Sequence, residues 1–192
     1  THEYLTTPFD QRGYDPNGNL VTRRDTMGAS LAAIAYDYRD HMVAYVDSTT
    51  GEAHTYGYDA LGRRIRRTID ADGAASGPEV TYSSYAAGSW RVIEEQGAGG
   101  TSLATYVVGD AVDEVLEMRR DPPGAPPPAP SFFLADDLGS TIALASAAGG
   151  LVERYEYSDF GEPAFLDSSG LPMSASSVDN RRLFTGREYD AE

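Results

Sequence analysis

Apolar and polar residues alternate along this chain in short runs, and Gly, Pro, Asn or Asp interrupts them every few positions. Leu20 to Thr26, Met42 to Val46, His54 to Tyr58, Arg63 to Ile69, Leu103 to Val108, Ser131 to Leu134, Thr141 to Ala145 and Leu151 to Tyr157 read as strands bounded by turn signals. Residues 4 to 14 read as a strand or two broken at Pro8. Val80 to Tyr82, Trp90 to Glu95 and Asp113 to Arg119 complete the set. Ala29 to Ala35 alone has mild helical propensity. It is too short for a stable helix, and its place in the repeat described next predicts a strand. The pattern predicts an all-β chain of antiparallel hairpins.

The turns share a frame. Tyr58-Asp59-Ala60-Leu61-Gly62 has an aromatic residue, an aspartate, two spacers and a glycine, and Tyr14-Asp15-Pro16-Asn17-Gly18 repeats it. Tyr36-Asp37-Tyr38-Arg39-Asp40 is a third copy with Asp40 in the glycine place, which predicts a looser turn. The three tyrosines are spaced by 22 residues, and a fixed period of this size marks a repeat architecture. Asp caps a turn by accepting from backbone N–H groups further on, and Gly takes positive φ to start the return strand. Asp-x-x-Gly recurs at Asp59/Gly62, Asp70/Gly73 and Asp136/Gly139, and Asp159-Phe160-Gly161 closes another hairpin. Gly97 to Gly100 reads as a hairpin turn as well, since a phosphate loop would need a lysine and a following helix.

Composition narrows the function classes. The 192 residues suffice for a buried core, and they read as one module with two interruptions. The Pro-rich stretch 121–130 predicts an extended loop, and the Ser-rich stretch 167–179 predicts a mobile one. The net charge of -15 argues against sequence-independent nucleic-acid binding and against adsorption to anionic membranes. Arg63-Arg64-Ile65-Arg66-Arg67 does not reverse this, because a strand divides these arginines between its two faces. There is no cysteine, so neither a disulfide framework nor a thiolate zinc site is available. All 15 cations are Arg, which excludes Schiff-base lysine chemistry and the P-loop lysine. No apolar run approaches the ~20 residues of a membrane-spanning helix. The opening Thr1-His2-Glu3-Tyr4 has no signal pattern, and the chain reads as an internal piece of something longer.

No catalytic, cofactor or metal site is predicted. His2, His41 and His54 lack metal-ligand spacing, and no G-x-S-x-G elbow occurs. Asp136-Asp137 and Asp159/Glu162 could serve a glycosidase as carboxylate pairs, but each lies in a turn frame where capping accounts for it. Asp15 to Asn19 resembles the start of a calcium loop, yet the position needing Glu is Thr26 and no helices flank it. The expectation is a structural module and not an enzyme. The alternative is an adhesion or carbohydrate-binding surface built on exposed tyrosines, suggested by Tyr155 and Tyr157 beside Glu153 and Glu156.

These motifs resemble the YD-repeat, or RHS-repeat, family. Tyr14 to Leu20 and Tyr58 to Ile65 fit its Tyr-Asp-x-x-Gly-x-Leu repeat. Phe133 to Leu144, continuing through Gly149 to Glu162, fits a longer family stretch. Phe184 to Asp190 fits the start of the family's core-associated motif. Leu134 stands where the family has a histidine. The signature positions are Tyr14, Asp15, Gly18, Tyr36, Asp37, Tyr58, Asp59, Gly62, Asp136, Gly139, Tyr157, Gly161, Gly186, Tyr189 and Asp190. The resemblance implies part of an antiparallel sheet coiled into a shell, in a secreted or cell-surface bacterial protein. Its partners would be the rest of the shell and an enclosed C-terminal toxin segment, with glycans as a further possibility and no nucleic acid. In the related animal teneurins such a shell supports adhesion.

Overall fold

The computed structural model describes residues 4–71, 77–120 and 129–189. The Pro-rich stretch at 121–128, the Asp70/Gly73 turn beyond 71, and Asp190 lie outside them. The regular structure among the described residues is nearly all antiparallel strand, as the alternating pattern predicts. The chain divides into two compact units, residues 1–83 with 97–99, and residues 84–96 with 100–192.

The first unit holds β1 (Gln11–Tyr14), β2 (Leu20–Arg24), β3 (Ser30–Tyr36), β4 (Met42–Asp47), β5 (Ala53–Tyr58), β6 (Arg64–Asp70) and most of β7 (Glu79–Tyr85). Each strand pairs with the next in antiparallel fashion. Ala29 to Ala35 enters β3, so pairing on both sides overrides its helical propensity. Ala32, His54, Tyr56 and Arg67 are buried here. The second unit holds β8 (Val92–Gly97), β9 (Ser102–Val108), β10 (Val115–Arg120), β11 (Ser131–Ala135), β12 (Thr141–Ser146), β13 (Leu151–Tyr157), β14 (Pro163–Asp167) and β15 (Pro172–Met173). Its strands also pair in chain order.

One turn geometry recurs. The residue before the turn donates its N–H to the carbonyl four positions on, and its own carbonyl accepts from the N–H three positions on. This holds at Asp15, Asp25, Asp37, Asp59, Asp136, Ser146, Ser158 and Asp167. Side-chain capping adds to it. Asp15 Oδ1 accepts from the N–H groups of Asn17 and Asn19, both at 2.9 Å. Asp59 Oδ1 does the same from Leu61 and Arg63, and Asp136 Oδ1 from Leu138 and Ser140. The fourth turn residue lies at positive φ, as at Gly18 (90°) and Gly62 (85°), and the strand register slips at the adjoining tyrosine.

Asp40 corrects the expectation of a looser turn. Its φ is 63°, and the Asp37 turn closes with the same two hydrogen bonds at 2.9 and 3.1 Å. Its carboxylate accepts from Asn17 Nδ2 at 2.9 Å and Asn19 Nδ2 at 2.8 Å. These contacts with the neighbouring turn offset the cost of a side chain in the left-handed region.

The stretch 167–179 carries a capped turn at Asp167, strand β15, and two serines bonded to the sheet. It runs into residues 174–189, which lie against one face of the second unit.

Candidate functional site: the covered face of the second unit

Register defines this face. Directly opposed residues of neighbouring antiparallel strands point the same way. Glu95 opposes Ala104, Tyr106 opposes Met118, and Met118 opposes Ser131. Phe133 opposes Leu144, Leu144 opposes Glu153, and Tyr155 opposes Phe165. Ala104, Tyr106, Met118, Leu144 and Tyr155 form the unit's buried cluster together with Leu183 from the covering segment. Leu144 is completely buried, so this face is a packed interior and not an open sheet surface.

The covering segment is fastened by main-chain and side-chain bonds. Thr141 N donates to the Leu183 carbonyl at 3.1 Å, and Thr141 Oγ1 donates to the Arg182 carbonyl at 2.7 Å. Thr185 N donates to Ser140 Oγ at 3.1 Å. A single turn at Phe184–Gly186 then reverses the chain.

Two buried polar clusters lie beneath it. In the first, Glu153 is wholly buried and accepts at both carboxylate oxygens. Its donors are Tyr155 Oη, Ser176 Oγ, Ser177 N at 2.7 Å and Ser177 Oγ at 2.8 Å. Asn180 Nδ2 donates to Tyr155 Oη at 2.9 Å. Burial, and then the bond to Glu153, raise the Tyr155 pKa well above the ordinary phenol value.

In the second cluster Glu95 accepts from Tyr106 Oη and from Arg120 Nη2, both at 2.8 Å. Arg120 Nη1 reaches Asp179 on the covering segment at 3.1 Å. Burial alone would raise the Glu95 pKa. The Arg120 charge and the Tyr106 hydroxyl outweigh it, so Glu95 lies below its ordinary value and is held as a carboxylate. Burial, with the Glu95 charge second, raises Tyr106. Both hydroxyls are therefore held as neutral donors. The arrangement anchors a segment on a sheet. Among the described residues no group of three or more His, Asp or Glu side chains could hold a metal ion.

The signature residues stay mostly in their own turns. Tyr58 Oη donates to the Met42 carbonyl at 2.7 Å, and its ring stacks on His41 at 4.6 Å. Tyr157 Oη reaches back across the same 16 residues to the Thr141 carbonyl at 2.6 Å. Four signature positions approach or form the covering segment. Tyr157 packs on Phe184 with ring centroids 5.4 Å apart, and Gly161 lies under the same ring. Gly186 sits against the Asp113 carbonyl, and Tyr189 lies 6.3 Å from the Phe165 ring. Tyr155, half of the pair that suggested an exposed carbohydrate-binding surface, is 4% exposed. Its hydroxyl is committed inside, so that pair does not present two faces to a ligand.

Glu95, Arg120, Glu153, Ser176 and Asn180 carry this site, and of these the sequence drew attention only to Glu153, as a neighbour of Tyr155 and Tyr157 on an exposed surface rather than as a buried anchor. The parity of Leu151 to Tyr157 offered one signal, since Glu153 shares a face with Tyr155 and Tyr157. Asp25-Thr26-Met27-Gly28 and Asp167-Ser168-Ser169-Gly170 also fit the turn frame. Their structures match it, with φ of 92° and 86° at the glycines.

The fold and this anchored face define an all-β module of consecutive antiparallel hairpins. Solved structures with this fold include the crystal structure of TcdB2-TccC3, with a TM-score of 0.57 and 12% identity over 99% of this chain. The Photorhabdus luminescens Tc holotoxin pore matches with a TM-score of 0.59 and 11% identity over 95% of the chain. The chain covers 12% and 11% of those two chains, and a likeness at this identity is one of fold. No protein family's profile matches. Curated relatives are tRNA nuclease WapA of Bacillus subtilis strain 168 and tRNA(Glu)-specific nuclease WapA of Bacillus subtilis subsp. natto. Each is 26% identical over 180 residues, which is 93% of this chain and 7% of the relative.

These names correct one expectation. The sequence predicted a protein that is not an enzyme, whereas the relatives are named as nucleases. The absence of a catalytic constellation in 192 residues did not report on proteins in which the matching stretch is 7% of the length.

Proposed function

We propose that this chain is wall from the β-shell of a bacterial toxin of the nuclease type, secreted or displayed at the cell surface, and that the shell encloses a C-terminal effector segment. The observation that carries the reading is the pairing of every strand with its chain neighbour within each unit, through one repeated turn. A sheet built this way extends by adding hairpins without rearranging those already in place. The covered face supports the reading further, because this wall holds a length of its own chain by bonds to the buried Glu153 and Tyr155 and by the Arg120–Asp179 ion pair. The relatives' names supply the nuclease class for the whole protein, and the acidic charge of this chain favours a wall over a tRNA-binding surface. No helix among the described residues is long and apolar enough to cross a membrane.

Limited proteolysis of the full-length protein tests this. The C-terminal segment should survive protease while the wall is folded and be cut rapidly once denaturant opens it. Equal cleavage of that segment in the folded and the opened protein would refute enclosure.

A further inference from the structure

The two edges of the second unit's sheet differ. On one edge lie the turns that lead into β8, β10, β12 and β14, and each presents a large apolar side chain to solvent. These are Trp90 at 65% exposure, Val112 at 88%, Leu138 at 71% and Phe160 at 98%. The described turns of the opposite edge place Ala147-Ala148 and Ser168-Ser169 at their tips, and their exposed large side chains, Leu151 at 44% and Leu171 at 64%, follow the turns instead of occupying the tips. Single exposed apolar residues are ordinary on a protein surface, but one at every tip of one edge is a pattern that marks a contact surface.

A groove of about 320 Å³ lies along this edge, between the turn at 110–114 and the turn at 136–140. Val112, Phe133 and Leu138 supply apolar walls, and Trp90 flanks the adjoining hollow beside Asp113 and Glu114. Four carboxylates, Asp113, Glu114, Asp136 and Asp137, line the groove against one guanidinium, that of Arg182. Arg182 is already directed to Glu188 at 3.8 Å, and Asp113 meets Arg187 at 3.9 Å, so Glu114, Asp136 and Asp137 carry the groove's excess charge. The edge therefore combines apolar tips with an excess of negative charge, and the whole chain carries -15.

We propose that this edge is a docking surface for a cationic polypeptide segment that also carries apolar side chains, the chemistry of a basic effector. Charge complementarity selects the partner. A protein that acts on tRNA, as the relatives are named to do, needs clustered cations of its own. The acidic groove would compete with nucleic acid for those cations, while the tips bury apolar side chains that a polyanion cannot satisfy. The inference rests on the shell-wall reading for the source of the segment, but the binding is measured on this chain alone.

Trp90 is the single tryptophan, so its fluorescence reports on this edge. The test titrates the 192-residue chain with a synthetic Arg/Leu peptide, a Glu/Leu counterpart and phosphatidylcholine vesicles. The Arg/Leu peptide should change the Trp90 emission saturably. Its affinity should fall about tenfold in the Leu138→Ser/Phe160→Ser double variant. It should fall about threefold in Asp137→Asn, with a shallower salt dependence. Ser168→Leu on the opposite edge should leave affinity unchanged. The proposal is overturned by equal binding of the Glu/Leu peptide or by no saturable change. It is also overturned if vesicles alone, or a dimer that Leu138→Ser/Phe160→Ser dissolves, account for the edge. If the peptide binds but the C-terminal segment of the full-length protein is unprotected, the shell reading alone fails.

Discussion

Replacing Glu153 with alanine is expected to destabilise the second unit by about 3 kcal/mol or more. The side chain is completely buried, and donors from Tyr155, Ser176 and Ser177 converge on its two oxygens. Alanine leaves these donors in a dry space beside Leu144 and Tyr155, and each unsatisfied buried group costs about 1–3 kcal/mol. The same change frees Ser176 and Ser177, so residues 174–189 lose one of their fastenings. Glu153→Gln preserves the volume and one acceptor oxygen and should cost less than Glu153→Ala. Denaturant titration followed by Trp90 fluorescence measures both. A Glu153→Ala protein within about 0.5 kcal/mol of the parent would show that the anchor is not structural.

Gly186→Ala should have the second largest effect. Gly186 has a φ of 71°, which costs a side chain roughly 1–2 kcal/mol. Its added Cβ would also fall 2.3 Å from the Asp113 carbonyl oxygen and 3.1 Å from Asp113 Cβ. Both the turn at 184–186 and the loop before β10 must shift to admit it. Gly139→Ala isolates the two contributions. Gly139 has a φ of 80°, but the nearest atom to its added Cβ is 4.0 Å away. That change should cost about 1 kcal/mol, and the excess for Gly186→Ala, about 1–2 kcal/mol, measures the close approach. Equal costs for the two substitutions would place the whole effect in backbone conformation.

The parts of the fold that were legible in the sequence are local ones. A turn capped by its own aspartate and closed by glycine is specified within five residues, so Asp15, Asp59 and Asp136 could be placed by inspection. The same rule covers Asp25 and Asp167, which fit the frame equally well. Asp40 misled because glycine is the usual residue at positive φ. The carboxylate is held there by Asn17 and Asn19, and nothing in its own turn announces that they are near. The covered face was illegible for the same reason. Ser177 and Asn180 meet Glu153 and Tyr155 across 24 and 25 residues, and a Ser-rich stretch by itself reads as loop. Only the alternation in β13, which sets Glu153 beside two tyrosines, hinted that a charge was turned inward. The enzyme question was illegible for a different reason: the matching stretch is 7% of the length of the relatives named as nucleases, and its residues do not report on the remaining length.

Electron cryomicroscopy of the full-length protein tests the central claim most directly. The account predicts a hollow β-shell in which the strands from Gln11 to Met173 form continuous wall, with density for a further segment inside it. A map showing these hairpins as an open array with no enclosed density would contradict it.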